Sequence, residues 1–223
     1  MVARKRKAVR KKVKFGFGRL VSPDARDERF RLKKVLAGQP SGKRVWKSTW
    51  IGDQGATPHC VGFAWSGWLN CQPIRQFLNP DGIYAYAQHV DQWDGEDYEG
   101  TSVRAGAKVL EDLGFIGQYR WGRTTDEVVG TILTLGPVVL GTDWYQRMME
   151  PDSDGFIHPA GAVVGGHAYL AYGCDTKKGL LYLKNSWGPQ WGDNGSALLA
   201  LDNLQGLLDE AGEACIGVEQ RPR

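Results

Sequence analysis

Cys60 is the side chain of this sequence best suited to act as a nucleophile. It stands where a loop gives way to an apolar run in which Phe63, Ala64 and Trp68 recur at about helical spacing. The N-terminus of a helix carries a partial positive charge and unpaired N–H groups, so a thiol placed there ionises more easily. Gln54, six positions upstream, carries an amide that could donate a hydrogen bond to an oxyanion. This stretch predicts an activated cysteine, and it equally fits a structural cysteine that begins a core helix.

Two later sites supply partners for such a thiol. His167 begins an apolar strand after Gly165 and Gly166, and Asn185 ends the next predicted strand. Antiparallel pairing of these strands would bring His167 and Asn185 together. The imidazole could then take the thiol proton, while the asparagine carbonyl accepts the ring N–H and fixes the tautomer. The alternatives are a structural histidine and a turn asparagine among core tryptophans.

Periodicity predicts helices before strands. The predicted helices cover 60–78, 83–90, 101–113 and 126–135, and the predicted strands cover 137–141, 168–174, 180–185, 197–201 and 215–219, with a short helical segment at 201–211. Thr101 or Ser102 is the expected N-cap of the third helix, and Thr124 with Glu127 fits a capping box for the fourth. Helices followed by a mostly antiparallel sheet indicate α+β architecture. Residues 15–50 are predicted to form an arm that wraps this body.

The positive charge of the chain is concentrated at one end. The 223 residues, of which 42% are apolar, suit one sizeable domain or two lobes that share a cleft. Residues 1–14 carry eight basic side chains and no acid, which predicts a disordered leader. Such a leader is suited to contact nucleic acid or an acidic partner, and it also fits a solubilising or processed tail. A later acidic run over 91–99 fits a solvated loop or a surface that favours basic substrates.

The four cysteines and the lack of targeting signals bear on the compartment. There is no CxxC pair, and the cysteine spacing is unlike a dense secreted disulfide framework, so we expect reduced thiols and no metal site. The N-terminus lacks the apolar core of a signal peptide, and no apolar run approaches the ~20 residues that a membrane span needs. We therefore expect a cytoplasmic protein.

In chain order, Gln54, Cys60, His167 and Asn185 resemble the papain-like cysteine peptidases. The matching stretches are DQGATPHCVGFAW, GGHAYLAYG and LKNSWGPQWGDNG, of which the last is the most specific. The resemblance covers about residues 20–219. It implies a single catalytic domain over 15–223, with a mainly helical left lobe (about 52–115), an antiparallel sheet or barrel as the right lobe (about 116–223), and the active-site cleft between them.

The resemblance implies a role for each residue of this set. Cys60 would be the nucleophile, His167 its ion-pair partner and Asn185 the group that orients His167. Gln54 and the backbone N–H of Cys60 would form the oxyanion hole. The implied reaction is hydrolysis of peptide bonds in a protein or peptide substrate through a thioester, without a metal or an organic cofactor.

The resemblance also implies residues that contact substrate, and it has departures. Gly100 and Gly166 would lie against the substrate backbone, and Trp187 would cover the hydrogen bond of the catalytic histidine. Thr57 stands where the family usually has a disulfide-bonded cysteine, which supports a reducing compartment. His59 places a second imidazole beside the thiol, where it could tune the thiolate, contact substrate or face solvent.

Three functions remain open from the sequence. The leading hypothesis is a cysteine endopeptidase of the bacterial or viral type, without a long inhibitory prodomain and, if viral, associated with the virion. The second is an amidase, peptidoglycan peptidase or transpeptidase that uses the same residues. The third is a non-catalytic anchoring protein that binds through its basic leader.

Overall fold

The computed structural model describes residues 15–32, 41–93 and 98–218. The basic leader, three acidic residues of the 91–99 run (Asp94, Glu96 and Asp97) and the predicted strand end at Glu219 lie outside the described residues. None of the helices in the described ranges combines the length and the apolar character that a membrane crossing requires.

The helices lie mostly in the first half of the chain, as predicted. Those of the described residues are α1 (Cys60–Asn70), α2 (Pro80–Val90), α3 (Val103–Asp112), α4 (Thr125–Thr134) and α5 (Leu201–Asp209). The Ser102 N-cap of α3 and the capping box of Thr124 and Glu127 on α4 are confirmed. The prediction that the first helix continues to residue 78 is wrong. Cys71 is already extended, and Pro73 disfavours helical backbone at the residue before it.

A single antiparallel sheet follows. Its strands in the described part are β1 (Lys43–Val45), β2 (Gln118–Gly122), β3 (Val138–Tyr145), β4 (Val163–Asp175), β5 (Leu180–Lys184), β6 (Ser196–Ala200) and β7 (Glu213–Val218). The spatial order is β2-β7-β3-β4-β5-β6, and β1 pairs with β4. Strands β2 and β6 form the two edges and do not pair, so the sheet is open and the barrel alternative is wrong. Helices together with this sheet confirm the α+β class.

Helix α1 is the buried centre of the fold. It packs against α2 and α3 on one side and against β4 on the other. Two tryptophans of α1 are buried and still satisfy their indole N–H groups: Trp65 donates to the Val103 carbonyl and Trp68 to the Pro137 carbonyl, each at 2.9 Å. These hydrogen bonds tie α1 to the start of α3 and to the residue before β3, while α1 also packs against β4, on which His167 lies.

Residues 15–32, the first of the two described parts of the predicted arm, are held by a buried ion pair. The Arg104 guanidinium on α3 pairs with both carboxylate oxygens of Asp27 and donates to the Ser22 carbonyl at 2.9 Å. Paired charges of this kind tolerate burial because each satisfies the other. Upstream of this anchor, the chain runs across the face where α1 meets β4.

Candidate active site

Cys60 is the first residue of α1 and is fully buried. The N-cap residue of α1, His59, makes no capping hydrogen bond with its side chain. The backbone N–H groups in the first turn of α1 therefore remain free to donate to another acceptor. Hydrogen bonds from the backbone of Ala168, Val61 and Gly18 reach the thiol and lower its pKa, but burial outweighs them and raises the pKa to about 11. The thiol is therefore protonated at neutral pH in this structure.

His167 and Asn185 meet as predicted. The imidazole Nε2 lies 2.7 Å from Asn185 Oδ1, and both side chains are buried. The backbone N–H of Ser186 donates to the same Oδ1 at 2.8 Å, which identifies this atom as the amide oxygen. Nε2 must then carry the proton, so Nδ1 is the basic nitrogen of the neutral ring. Nδ1 is buried and has no hydrogen-bond partner among the described residues.

The Cys60 thiol lies beside the stretch of β4 that carries the His167 imidazole. The hydrogen bond from Ala168 places the Cys60 sulfur against the peptide group that follows His167. Burial lowers the pKa of His167 to about 4, although the hydrogen bond to Asn185 raises it in part. The pair is thus neutral, because desolvation disfavours the charged form of each partner.

Aromatic rings enclose the histidine. Trp187 lies 4.8 Å and Trp144 4.9 Å from the His167 ring, measured between ring centroids. Both indoles are almost completely buried. They shield the bond between His167 and Asn185 from water; of the two indoles, the sequence analysis named only Trp187 for this place.

Gln54 faces the start of α1 from the preceding loop. Its Oε1 accepts a hydrogen bond from the Ser186 hydroxyl at 2.6 Å, and its backbone N–H donates to the Ser186 carbonyl at 2.8 Å. Its Nε2 donates to the Thr57 carbonyl at 2.7 Å and to the Gly16 carbonyl at 3.3 Å. The amide donor expected to serve an oxyanion is thus held by Ser186 and already contacts a carbonyl from the N-terminal arm.

Residues 15–21, called the occluding segment from here on, cover these side chains. The segment enters beside Gln54, passes Cys60 at Gly18 and then pairs with the residue after Gly100. The Gly18 carbonyl accepts from the Thr101 N–H at 2.8 Å, and the Leu20 N–H donates to the Thr101 carbonyl at 2.9 Å. The arm thereby fills the cleft that a substrate would need.

Aromatic and small residues alternate in the occluding segment. Phe15 stacks on Trp187 at 4.4 Å between centroids, and Phe17 packs edge-on against His167 at 5.8 Å. A Cβ on Gly16 or on Gly18 would lie about 2 Å from a backbone carbonyl oxygen of the loop that leads into α1. Every second position must therefore lack a side chain for the segment to lie this deep.

The residues predicted to contact substrate all contact the occluding segment instead. A Cβ on Gly100 would lie 2.4 Å from the Gly18 carbonyl oxygen, and one on Gly166 would lie 2.3 Å from that of Arg19. Trp187 carries the stacked ring of Phe15. The structure thus brings these three positions to one cleft.

The remaining predicted features are placed as follows. His59 is only partly exposed: its ring stacks on Tyr84 at 4.0 Å, and Nδ1 lies 2.7 Å from Asp81 Oδ1. All four cysteines are free and buried. Within the described ranges, no group of three or more His, Cys, Asp or Glu side chains is arranged to hold a metal ion.

The sequence reasoning did not identify the occluding segment as part of the site. The signal was the alternation of large and absent side chains over residues 15–19, which read FGFGR. An extended strand sends alternate side chains to opposite faces, so this pattern gives one bulky face and one bare face. The bare face is what permits close approach to another backbone.

Comparisons with known proteins agree with this geometry. A family model described as papain family cysteine protease matches residues 81–211. Cathepsin B-like cysteine proteinase 5 of Caenorhabditis elegans is 32% identical over 79 residues, which are 34% of this chain and 23% of that protein. Cathepsin B-like CP3 of Giardia intestinalis is 35% identical over 79 residues, 34% of this chain and 26% of that protein. The alignments thus span about a quarter of the length of these relatives.

Two solved structures share the fold over nearly the whole chain. Xylellain, a cysteine protease from Xylella fastidiosa, superposes with a TM-score of 0.73 at 18% identity, covering 96% of this chain and 100% of that one. Digestive procathepsin L 3 of Tenebrio molitor larval midgut gives a TM-score of 0.67 at 15% identity, covering 92% of this chain and 76% of that one.

Proposed function

Because this chain belongs to the papain family of cysteine proteases, we propose that it is an endopeptidase in which Cys60 is the nucleophile and His167 the general base. The observation that carries this assignment is the tautomer of His167. Asn185 accepts the Nε2 proton, which leaves a basic Nδ1 on the ring whose following peptide group contacts the thiol. Buried polar atoms with a purely structural role normally have a hydrogen-bond partner, and Nδ1 of His167 has none among the described residues. This supports a role for Nδ1 as a base.

The proposed reaction is acyl transfer in two steps. His167 takes the thiol proton, and the Cys60 sulfur attacks the carbonyl carbon of the scissile peptide bond. The carbonyl oxygen becomes an oxyanion that the Gln54 amide stabilises, in place of its present contact with Gly16. The His167 imidazolium then protonates the departing amine, and a thioester remains on Cys60. Water, deprotonated by His167, hydrolyses the thioester and releases the acid.

The described structure corresponds to a latent state in this proposal. The Gly16 carbonyl accepts a hydrogen bond from the Gln54 amide, and the Gly18 backbone contacts the Cys60 thiol. Burial keeps the sulfur and the His167 imidazole neutral. Solvent must reach both groups before the thiolate–imidazolium pair can form. We therefore expect hydrolysis only after the occluding segment leaves the cleft.

The test is hydrolysis of a denatured, fluorescently quenched protein by the full chain, with and without cleft-opening substitutions in the occluding segment. We expect cleavage that Cys60→Ala abolishes and that Cys71→Ala, which alters another buried thiol, retains. In the chain with cleft-opening substitutions, iodoacetamide labelling followed by peptide mass mapping should modify Cys60 faster than the other three cysteines, which serve as internal references. Cleavage that persists in the Cys60→Ala chain would refute the assignment.

A further inference from the structure

His59 joins the residue before the nucleophile to helix α2. Its side chain does not cap α1 but reaches α2, where Nδ1 lies 2.7 Å from Asp81 Oδ1. The imidazole stacks on the Tyr84 ring at 4.0 Å between centroids, with 26° between the ring planes. The His59 side chain is only 23% exposed. The residue next to Cys60 is thus tied to α2 by a hydrogen bond and by a ring stack.

Helix α2 lies this close to α1 because Gly62 has no side chain. A Cβ on Gly62 would lie 2.1 Å from the carbonyl oxygen of Pro80, the first residue of α2. The N-cap residue Asn79 accepts the Asp81 N–H at 2.9 Å, which fixes Asp81 in the first turn. The helix dipole favours a carboxylate at that position. The partners of His59 are therefore held by the packing of two helices.

Tyr84 extends the connection to the backbone at Gly100. Tyr84 is buried, and its hydroxyl oxygen accepts a hydrogen bond from the Gly100 N–H at 3.0 Å. Gly100 has a φ of 105°, which favours glycine. The next residue, Thr101, forms the two backbone hydrogen bonds that hold the occluding segment. The stack and the hydroxyl therefore connect His59 to the backbone that pairs with an extended chain in the cleft.

His59 brings no net positive charge to the thiol. Its protonated ring would be matched by the Asp81 carboxylate, so the pair would be neutral as a whole. This pairing argues against the first role that the sequence left open for His59, which was to tune the thiolate. The contacts of its ring face and of Nδ1 with α2 leave it a geometric role.

A substrate that displaces the occluding segment meets the same backbone. The segment pairs with Thr101 through the Gly18 carbonyl and the Leu20 N–H, and neither bond requires a particular side chain. A peptide can therefore form both bonds, whereas a substrate with one acyl residue is too short to span them. The placement of this backbone relative to Cys60 determines whether the scissile carbonyl meets the sulfur. A misplacement of about 1 Å can cost on the order of 10²-fold in rate.

We propose that His59 is a positioning residue for the reaction, which acts through its stack on Tyr84. The stack fixes the backbone of residues 100–101 relative to Cys60, so that a bound peptide presents its carbonyl to the thiol. This inference rests on the endopeptidase function proposed above and adds a residue outside the catalytic set.

The test compares a long substrate with a short one. Both are peptidyl-coumarins, one of four residues and one of a single residue, and all variants carry Gly18→Ala to open the cleft. We expect His59→Ala to lower kcat/KM about tenfold for the long substrate and to leave the short one within about twofold. Alkylation of Cys60 by iodoacetamide should also stay within about twofold, because it uses no backbone pairing. His59→Phe keeps a ring for the stack and should restore the long substrate.

A matched control and a second variant accompany this comparison. His158→Ala removes another imidazole that lies 2.7 Å from a carboxylate, that of Asp152 in the loop before β4, and should change neither substrate. Tyr84→Phe keeps the stack but removes the hydroxyl that holds Gly100, so it should also impair the long substrate alone. The double variant His59→Ala, Tyr84→Phe should lose no more than the worse single variant, because both changes break one connection.

Amide hydrogen exchange in the full latent chain measures the connection without hydrolysis. We expect His59→Ala to speed exchange of the Gly100 N–H about tenfold and His158→Ala to leave it unchanged. Equal losses for the two substrates, no loss for either, or unchanged Gly100 exchange would overturn the positioning role. Absence of hydrolysis, or hydrolysis that survives Cys60→Ala, would instead overturn the endopeptidase assignment. The exchange rates would then still decide whether His59 holds Gly100.

Discussion

Protonation of His167 should weaken the folded, covered state, and substitution of that residue isolates the effect. The perturbation is His167→Gln, which keeps a hydrogen-bonding side chain but cannot titrate. In the folded protein, burial lowers the pKa of His167 to about 4 from an ordinary value of 6.5. The unfolded chain therefore binds a proton between these two pH values, whereas the folded chain does not.

The size of the effect follows from the two pKa values. Each unit of difference contributes about 1.4 kcal/mol to the pH dependence of the unfolding free energy. The stability that comes from keeping His167 neutral is fully present above pH 6.5. It is lost progressively as the pH falls from 6.5 to 4, and no further stability is lost through this group below pH 4. Between pH 7 and pH 4.5 we expect His167 alone to remove about 2 kcal/mol of stability. Full burial of the ring means that solvent screening does not reduce this figure.

The assay is urea unfolding of the full chain at pH 7, 5.5 and 4.5, followed by tryptophan fluorescence. Carboxylates also titrate in this range, so the quantity of interest is the difference between wild type and His167→Gln at each pH. The wild-type protein should lose about 2 kcal/mol more than the variant between pH 7 and 4.5. Parallel curves for the two proteins would show that His167 is not buried in its neutral form, and the latent state described above would be wrong.

Three further substitutions test individual contacts. Gly18→Ala places a methyl group against the Pro58 carbonyl, and we expect it to raise the rate of Cys60 alkylation by about tenfold. The control is Gly206→Ala, whose Cβ would contact nothing within 4 Å and which should leave the alkylation rate unchanged. Gln54→Ala should lower kcat on a peptide substrate by about 10²–10³-fold with little change in alkylation of an opened cleft, and an unaltered kcat would remove Gln54 from the oxyanion hole. Asn185→Ala should lower kcat/KM by at least about tenfold, because the imidazolium loses a charge-assisted hydrogen bond; a pH–rate profile with unshifted limbs would contradict that role.

The placement of Cys60, His167 and Asn185 was predictable because local chemistry and strand pairing determine it. A cysteine at the start of an apolar helical run implies a thiol at a helix N-terminus, and α1 does begin at Cys60. His167 lies on β4 and Asn185 directly follows β5, and both strands have strong apolar patterns, so the antiparallel pairing that brings the two residues together follows from the sequence. The capping signals of α3 and α4 are likewise local, and both were identified correctly.

Features that depend on distant contacts or on weak patterns were not predictable. Gly165 and Gly166 belong to β4 but have no side chains to show alternation, so the strand was predicted to begin too late. Whether the sheet closes depends on how its edge strands approach each other in space, which no stretch of sequence expresses.

The covered cleft is the clearest case of a long-range feature. Arg19 and Glu213, whose side chains share a buried hydrogen bond, are separated by 194 positions, and neither lies in a segment whose periodicity indicates a partner. The Gly18 pairing with Thr101 needs no particular side chain, because its hydrogen bonds come from the backbone. Such contacts become visible only once the fold brings the arm across α1.

Trapping the acyl group is the most direct test of Cys60 as the nucleophile. The Gly18→Ala chain is mixed with an activated ester of a short peptide, quenched in acid within milliseconds and digested for mass spectrometry. We predict the peptide's acyl mass on the fragment that contains Cys60, and its disappearance on incubation at neutral pH as water cleaves the thioester. An acyl group on another residue, or product formation with Cys60 unmodified at every time point, would contradict the mechanism.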